Sequence, residues 1–447
     1  MRYEHTHDSG SDRLILIFAG WSTDASFYSG IAPAGYDMMV VYDYTDMDFP
    51  LECLKRYSTI CLFAWSLGVF AASCVIPSGL PAMAVAVNGT ETPVDDDFGI
   101  PESIFKGTAA NLDDKNLMKF RRRMCAEAYQ SLAGKFGNRT TESLRNELEA
   151  IARHSTTHKS HIHWDRVYVS TKDAIFPPAN QMHAWKSHPS GPEIRSVDMS
   201  HYICLADIIR GAIPTRTTIG DKFRKALPTY SDNASAQRNI ASALLGMIPD
   251  VTIEKGIEIG PGSGIFTEMF CKRFQPREMD FVDLYTLPDY GYATEERYHI
   301  CDAEDWMENA GNEDSLFDAI VSASAIQWFV NPERFFHNAS RMLKSGGILA
   351  CSTFLPGNLE ELYPSNPFGL IYRDKTTIKE MLQPYFDNVR LEEEEITLTF
   401  DSQRELLLHL RHTGVGGASS SPLPLSQLLA SLPQHLTYRP LYITARK

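Results

Sequence analysis

Ser66 stands in the pattern Ala64-Trp65-Ser66-Leu67-Gly68, directly after the apolar run Thr59 to Ala64. A serine on the sharp turn between a buried strand and a helix presents its hydroxyl for attack on a carbonyl. Such a turn tolerates only small neighbours, and Ala64 and Gly68 supply them. Alanine replaces the first glycine of the usual G-x-S-x-G, which the turn accommodates sterically. In α/β-hydrolases an acid and then a histidine follow the serine along the chain. Asp173 ends the strand-like run Arg166 to Ser170, and His201 follows the last short strand, within Asp198-Met199-Ser200-His201-Tyr202. Ser66 would attack, His201 would take and return the proton, and Asp173 would orient the imidazole. Asp198 is the rival acid, and the poorer one because it shares a loop with His201. Oxyanion donors would be the backbone N–H of Leu67 and that of Trp21, in the early loop Phe18-Ala19-Gly20-Trp21-Ser22. The competing reading is a degenerate hydrolase fold.

A pattern of a different kind, Glu258-Ile259-Gly260-Pro261-Gly262-Ser263-Gly264, follows the apolar run Gly256 to Ile259. A dinucleotide fingerprint, G-x-G-x-x-G, needs glycine where Ile265 stands, so the spacing argues against NAD. With an acid two residues before its first glycine, the loop resembles motif I of the class I S-adenosylmethionine methyltransferases. That resemblance implies S-adenosylmethionine as cofactor. It implies that Glu258, Gly260, Gly262 and Gly264 form the loop that approaches the cofactor's amino-acid portion. Asp283 would hold the ribose hydroxyls from the end of the second strand, and Asp302-Ala303 would contact the adenine, Asp302 accepting from its exocyclic amine. The plainer reading is a glycine-rich turn with surface acids.

Elements that could position these residues recur along both halves. Strand-length apolar runs lie at Leu14 to Phe18, Met38 to Tyr42, Thr59 to Trp65, Ala82 to Val87, Arg166 to Ser170 and Ile194 to Val197, which predict an open, mostly parallel sheet. Between Val87 and Trp164 the strand signal stops and helical patterns take over, Asn111 to Gly134 and Thr140 to His154, as in a helical cap over residues 90–160. After a Pro- and Thr-rich stretch, Gly211 to Gly220, helical residues Asp221 to Leu245 lead into a second series: Lys255 to Gly260, Met279 to Leu284, Arg297 to Asp302, Phe317 to Ser324, Gly347 to Phe354, Val389 to Phe400 and Leu441 to Arg446. The expected architecture is α/β throughout: an α/β-hydrolase with a helical cap (1–212), a linker (213–220) and a seven-stranded, Rossmann-like class I methyltransferase domain (221–447).

Composition sets outer bounds. At 447 residues the chain can bury two substantial cores. Its eight cysteines are scattered without a C-x-x-C pair, as reduced core residues would be. Residues 1–13 are polar with no signal core, and no stretch approaches the roughly 18 uninterrupted apolar residues of a membrane span, so a cytoplasmic protein without a membrane partner is expected. Net charge is −14, with 21 basic and 25 acidic groups in residues 1–218 and 21 and 31 in the rest. Nucleic acid would be repelled on average.

Two families sharpen this picture. Residues 218–447 resemble the malonyl-acyl-carrier-protein O-methyltransferases of biotin synthesis. The likeness runs through Lys222 to Ala226 with Thr229-Tyr230, Ala236-Gln237-Arg238, the glycine loop, Phe317 to Ser322 with Ala325-Ile326-Gln327-Trp328-Phe329, Leu343 to Gly347, and Leu410-Arg411-His412-Thr413-Gly414-Val415. It departs at Pro261 and at Val282 to Tyr285. Residues 1 to about 212 resemble a small pimeloyl-acyl-carrier-protein methyl ester esterase, BioG-like, through Phe18 to Trp21, Ala64 to Val69 and Ser200-His201-Tyr202. The resemblances imply an acyl carrier protein as partner, bearing malonyl or pimeloyl methyl ester, with Gln327 and Trp328 on the substrate side of the methyltransferase. One activity would install a methyl ester and the other remove it. A methylated malonyl group would pass fatty-acid elongation without its charge, and cleavage at the pimeloyl stage would end it. Arg373 or Arg411 would orient the carboxylate.

Other features have plain alternatives. Lys119, Arg121, Arg122 and Arg123 could clamp an acidic carrier protein or form a solvated face. His154, His158, His161 and His163 lack a completing carboxylate or cysteine, and no metal is expected. Two other functions remain open on sequence alone: a small-acid O-methyltransferase fused to an unrelated carboxylesterase, and a first half that serves only to dock the carrier protein.

Overall fold

The computed structural model describes residues 1–156, 162–213, 215, 234–285, 287–310, 316–363, 367–413 and 433–447. The chain divides into two compact units, Met1–Ala206 and Asp207–Lys447. The linker expected at 213–220 lies almost wholly outside the described residues, as do 222–230, Gly414-Val415 and two of the clustered histidines, His158 and His161.

In the first unit, β1 (Arg2–His7), β2 (Arg13–Phe18), β3 (Asp37–Tyr42), β4 (Thr59–Trp65), β5 (Met83–Val87), β6 (Arg166–Ser170) and β7 (Glu193–Val197) form one sheet in the order β1-β3-β2-β4-β5-β6-β7. Strands β2 to β7 pair in parallel. All residues of β2 and β4 are buried, because helices cover both faces of a parallel sheet and leave no solvent side to alternate toward. The strand that sequence reading does not foresee is β1. It is a polar, solvent-exposed edge strand, antiparallel to β3, so it carries no hydrophobic period to detect.

Between β5 and β6 the cap is built from three main helices, Glu102–Ala110, Asp114–Cys125 and Thr141–His154. Asp113 and Thr140 start the last two by accepting backbone N–H groups of Asn116 and Ser143. A buried ionic group ties the cap to the loop after β3. Glu147, 1 % exposed, accepts the Tyr44 N–H at 2.9 Å and an Arg139 N–H at 2.7 Å, while Arg139 also reaches Asp43 at 2.9 Å.

In the second unit, β8 (Lys255–Ile259), β9 (Glu278–Asp283), β10 (Glu295–Ile300), β11 (Phe317–Ser322), β12 (Leu343–Phe354), β13 (Asp387–Glu393) and β16 (Pro440–Arg446) make a seven-stranded sheet in the order β10-β9-β8-β11-β12-β16-β13. Strand β16 runs antiparallel to both neighbours. One face packs helices Ser235–Met247 and Ile265–Phe274 through Ile240, Leu244, Phe266 and Phe270. The other packs Pro332–Met342 and Lys375–Leu382 through Phe335, Phe336 and Leu382. The single strand expected over Val389 to Phe400 is in fact two, β13 and β14 (Ile396–Thr399), in different sheets. Four consecutive glutamates, 392–395, interrupt the apolar pattern at the break. Strand β14 pairs with β15 (His435–Tyr438), a short strand too polar to stand out. Among the described residues no helix is long and apolar enough to cross a membrane.

Removing one member of a buried ionic group strands the others, at about 3 kcal/mol. Glu147→Ala is therefore expected to lower the thermal transition of the first unit by roughly 6–12 °C. Calorimetry of the full chain should show the second unit's transition unmoved; a shift under about 2 °C in the first would mean that the Glu147 group holds nothing together.

Candidate functional site

Ser66 lies at the carboxyl end of β4, near the middle of its sheet, with φ 59° and ψ −128°. This strained turn is enforced by close packing. A Cβ on Gly68 would sit 2.3 Å from the Phe18 carbonyl oxygen, and one on Gly89 would sit 2.2 Å from that of Ser66. His201 Nε2 is 2.9 Å from Ser66 Oγ, and His201 Nδ1 is 2.8 Å from Asp173 Oδ2. All three side chains are buried. Asp173 follows β6 and His201 follows β7, so three strand ends converge on one edge of the sheet.

Asp173 is held by three donors, the N–H groups of Ile175 (2.8 Å) and Phe176 (2.9 Å) and the Gln181 amide (2.9 Å). Asp198, the rival acid, is exposed and binds Lys172 and Thr171 instead. The His201 carbonyl accepts from Trp65 Nε1 at 3.0 Å and Asn88 Nδ2 at 2.8 Å, and Asn88 also accepts the Ser170 N–H at 2.7 Å. Phe176 stacks on the imidazole with ring centres 6.2 Å apart. Gln181 and Asn88 were not singled out from the sequence, because a lone amide after a strand or inside a helix has no spacing that marks it.

Leu67 opens the helix Leu67–Val75, and Trp21 follows β2 in the loop that packs beside it. Among the described residues neither N–H has a backbone acceptor, as oxyanion donors require. A pocket opens over Ser66, lined by Trp21, Leu67, Ile104, Phe105, Phe120 and Arg123 among others. The basic quartet of the cap does not act as one patch. Lys119, Arg122 and Arg123 are exposed, whereas Arg121 is half-buried, donating to the Ser22 carbonyl at 3.1 Å with its guanidinium over the Phe136 ring at 4.4 Å. His163 lies 3.7 Å from Asp165.

In the second unit Gly260, Gly262 and Gly264 all have positive φ (68°, 56° and 82°). Side chains would collide at the outer two, with Ala325 at 2.5 Å and Tyr290 at 2.6 Å. The loop thus presents bare backbone between β8 and the helix Ile265–Phe274. Asp283, at the end of β9, accepts the Gly262 N–H at 3.2 Å and the Leu284 N–H at 2.7 Å. Burial raises its pKa to about 6 against the pull of those donors. Glu258 is fully buried. Desolvation, with the neighbouring Asp283 charge adding to it against a smaller pull from Thr267, pushes its pKa to about 8. Asp302 caps the helix Ala303–Asn309, its Oδ1 accepting the Glu304 N–H at 2.8 Å and the Asp305 N–H at 3.3 Å, and Ala303 is buried behind it. Tyr290, which sequence reading passed over, donates its hydroxyl to the Gly262 carbonyl at 2.8 Å. Gln327 and Trp328 are half-buried in a short turn after β11, and Gln327 donates to the Ser324 carbonyl at 2.6 Å. Arg373 is buried and Arg411 exposed.

Comparison with known proteins follows the same division. Residues 1–207 match the family described as pimeloyl-ACP methyl esterase BioG, and residues 221–392 match a methyltransferase domain. A malonyl-[acyl-carrier protein] O-methyltransferase of Bacteroides fragilis is 34% identical over 466 aligned residues, covering 97% of this chain and 92% of that protein. An uncharacterised Haemophilus influenzae protein is 37% identical over 205 residues, covering 44% of this chain and 92% of its own length. The crystal structure of BioG from Haemophilus influenzae, at 36% identity and a TM-score of 0.42, covers 45% of this chain and 94% of that one. With a relative of this similarity spanning nearly all of both proteins, the chain belongs to the malonyl-[acyl-carrier protein] O-methyltransferase family, in a form whose N-terminal unit matches the BioG esterase family.

Proposed function

We propose that the chain installs a methyl ester with its second unit and removes one with its first. Residues 221–447 methylate the free carboxylate of malonyl-acyl-carrier protein, residues 1–212 hydrolyse pimeloyl-acyl-carrier-protein methyl ester, and 213–220 join them. The observation that carries the pairing is the continuous hydrogen-bonded series Ser66, His201, Asp173 on a chain of the malonyl-acyl-carrier-protein methyltransferase family. Such a series has no use in a module that only docks a carrier protein. A small-acid methyltransferase joined to an unrelated esterase differs from this reading only in substrate. Methyl transfer to malonyl carrier protein, compared with malonyl-coenzyme A and free malonate, separates the two.

In ester cleavage, His201 Nε2 takes the Ser66 proton as Oγ bonds to the ester carbonyl carbon, and the Leu67 and Trp21 N–H groups receive the oxygen that becomes negative. The carbonyl re-forms as the bond to methoxide breaks, and His201 returns the proton so that methanol leaves. Water, deprotonated by the same imidazole, then releases the acid and restores Ser66.

The cofactor of the second unit is S-adenosylmethionine. The bare backbone at Gly260 to Gly264 and the Asp283 carboxylate beside it fit that group. When bound, it supplies an electrophilic methyl group. A malonyl carboxylate is already ionised near pH 7, so the chain needs no general base and contributes positioning and desolvation. Arg373, buried where Arg411 is exposed, is the cation favoured to orient that carboxylate, and Gln327 and Trp328 are the other residues assigned to the substrate.

Ser66→Ala is expected to abolish ester cleavage and leave methyl transfer at its original rate, since the two sites lie in separate units. Parallel loss of both activities would contradict that separation. Cofactor affinity should fall as pH drops through about 6, because protonation of Asp283, whose pKa is raised to about 6, turns one of its two charged acceptor oxygens into a donor and weakens its hold on the two ribose hydroxyls. Asp283→Asn should bind weakly at every pH and show no such inflection; an unchanged calorimetric profile in that variant would remove Asp283 from the cofactor site.

Opposed activities on one chain require selectivity, or each new ester would be cleaved at once. Malonyl and pimeloyl esters differ by four methylenes. At about 0.8 kcal/mol per buried CH₂, the apolar pocket over Ser66 can distinguish them by roughly 3 kcal/mol, or about two orders of magnitude. Esterase kcat/KM should therefore rise with acyl length on one carrier protein, and a flat profile would refute the assignment.

A further inference from the structure

The loop that carries Trp21 is tied to the cap at three points. The Trp21 indole N–H donates to the Leu144 carbonyl at 3.0 Å, and the Trp21 ring meets Phe120 edge-on at 4.7 Å. Arg121 Nη2 donates to the Ser22 carbonyl at 3.1 Å. Ser22 is the strained member of the loop, with φ 70°, a conformation that a serine keeps only when its surroundings impose it. At the loop's other end Gly20 has no slack, since a Cβ there would fall 2.6 Å from the Trp65 ring. The Trp21 peptide is thus fixed by Trp65, the neighbour of the nucleophile, and by the cap.

Arg121 is a poor choice for cap stability alone. Its buried Nε has no acceptor among the described residues, and burial lowers its pKa from the usual arginine value. An apolar side chain would pack on Phe136 without stranding a donor. We infer that Arg121 is a positioning residue for ester cleavage, holding the Ser22 backbone so that the adjacent Trp21 N–H meets the oxyanion formed on attack by Ser66. The inference rests on the esterase reading above. It separates Arg121 from Arg122 and Arg123, which lie exposed on the same helix and have no contact with the loop among those described.

The test uses the full chain and p-nitrophenyl butyrate, a substrate too small to touch a carrier-binding face. Arg121→Gln is expected to lower kcat roughly tenfold while KM moves less than about twofold, short of the hundredfold loss on deleting an oxyanion donor outright. Affinity for a trifluoromethyl ketone, whose oxygen fills the same hole after addition to Ser66, should fall by the same factor. The pH profile of kcat should not move. Arg121→Lys keeps a donor within reach of Ser22 and should recover most of kcat, and Arg122→Gln should match the parent chain. Arg121→Met, which fills the space over Phe136, makes the same comparison should Arg121→Gln fail to fold. An unchanged kcat, or a lower kcat with undiminished ketone affinity, overturns the inference. If the parent chain neither cleaves the ester nor captures the ketone, the esterase reading falls and this inference falls with it.

Discussion

The first unit is organised around the absence of space beside one residue. Ser66 occupies a left-handed turn that costs about 1–3 kcal/mol, and the surrounding backbone leaves it no other conformation. Gly68 lets the helix after Ser66 start against the Phe18 carbonyl, Gly89 lets the loop after β5 cross the Ser66 carbonyl, and Gly20 lets the loop after β2 lie on Trp65. Each is a strand-end residue from a different part of the sheet. Ser66, the loop that carries Trp21 and the loop that carries Asn88 are consequently one packed object, and Asn88 and Trp65 extend it to His201 by gripping the His201 carbonyl from two sides.

The second unit uses glycine for the opposite end. At Gly260 and Gly264 the neighbours are side chains, Ala325 and Tyr290, and the loop between them turns its bare backbone toward Asp283. Tyr290 holds the Gly262 carbonyl while Asp283 holds the Gly262 N–H. The Gly262 peptide is therefore fixed from both sides, by a side chain on its carbonyl and by a side chain on its N–H.

The central strands of both sheets could be read from the sequence because parallel strands covered on both faces are continuous apolar runs. What escaped was polar or broken. The edge strand β1 shows no hydrophobic period, β15 is four residues long, and the glutamate run 392–395 hides a strand break inside an otherwise uniform stretch. For the candidate sites, the elbow and the glycine loop are local in sequence, and strand order pointed to Asp173, His201 and Asp283. Gln181, Asn88 and Tyr290 act through contacts 8, 113 and 28 residues away along the chain, and nothing in their immediate neighbours announces them. Arg121 shows the converse failure. Three adjacent arginines look equivalent as a string, yet helical rotation half-buries Arg121 against the Trp21 loop, leaves Arg122 exposed and sets Arg123 at the pocket over Ser66.

Burial alone does not decide what a carboxylate does here; the supply of donors does. Asp283 and Glu258 are near enough that the charge of one raises the pKa of the other, and desolvation is the largest influence on both. Asp283 receives N–H groups from Gly262 and Leu284 and its pKa stops near 6, so at neutral pH it is an acceptor. The Glu258 Oε2 has no donor among the described residues, and its pKa climbs to about 8. A carboxyl with that pKa is mostly protonated near pH 7, so the two neighbouring acids differ in charge there although desolvation is the largest influence on both.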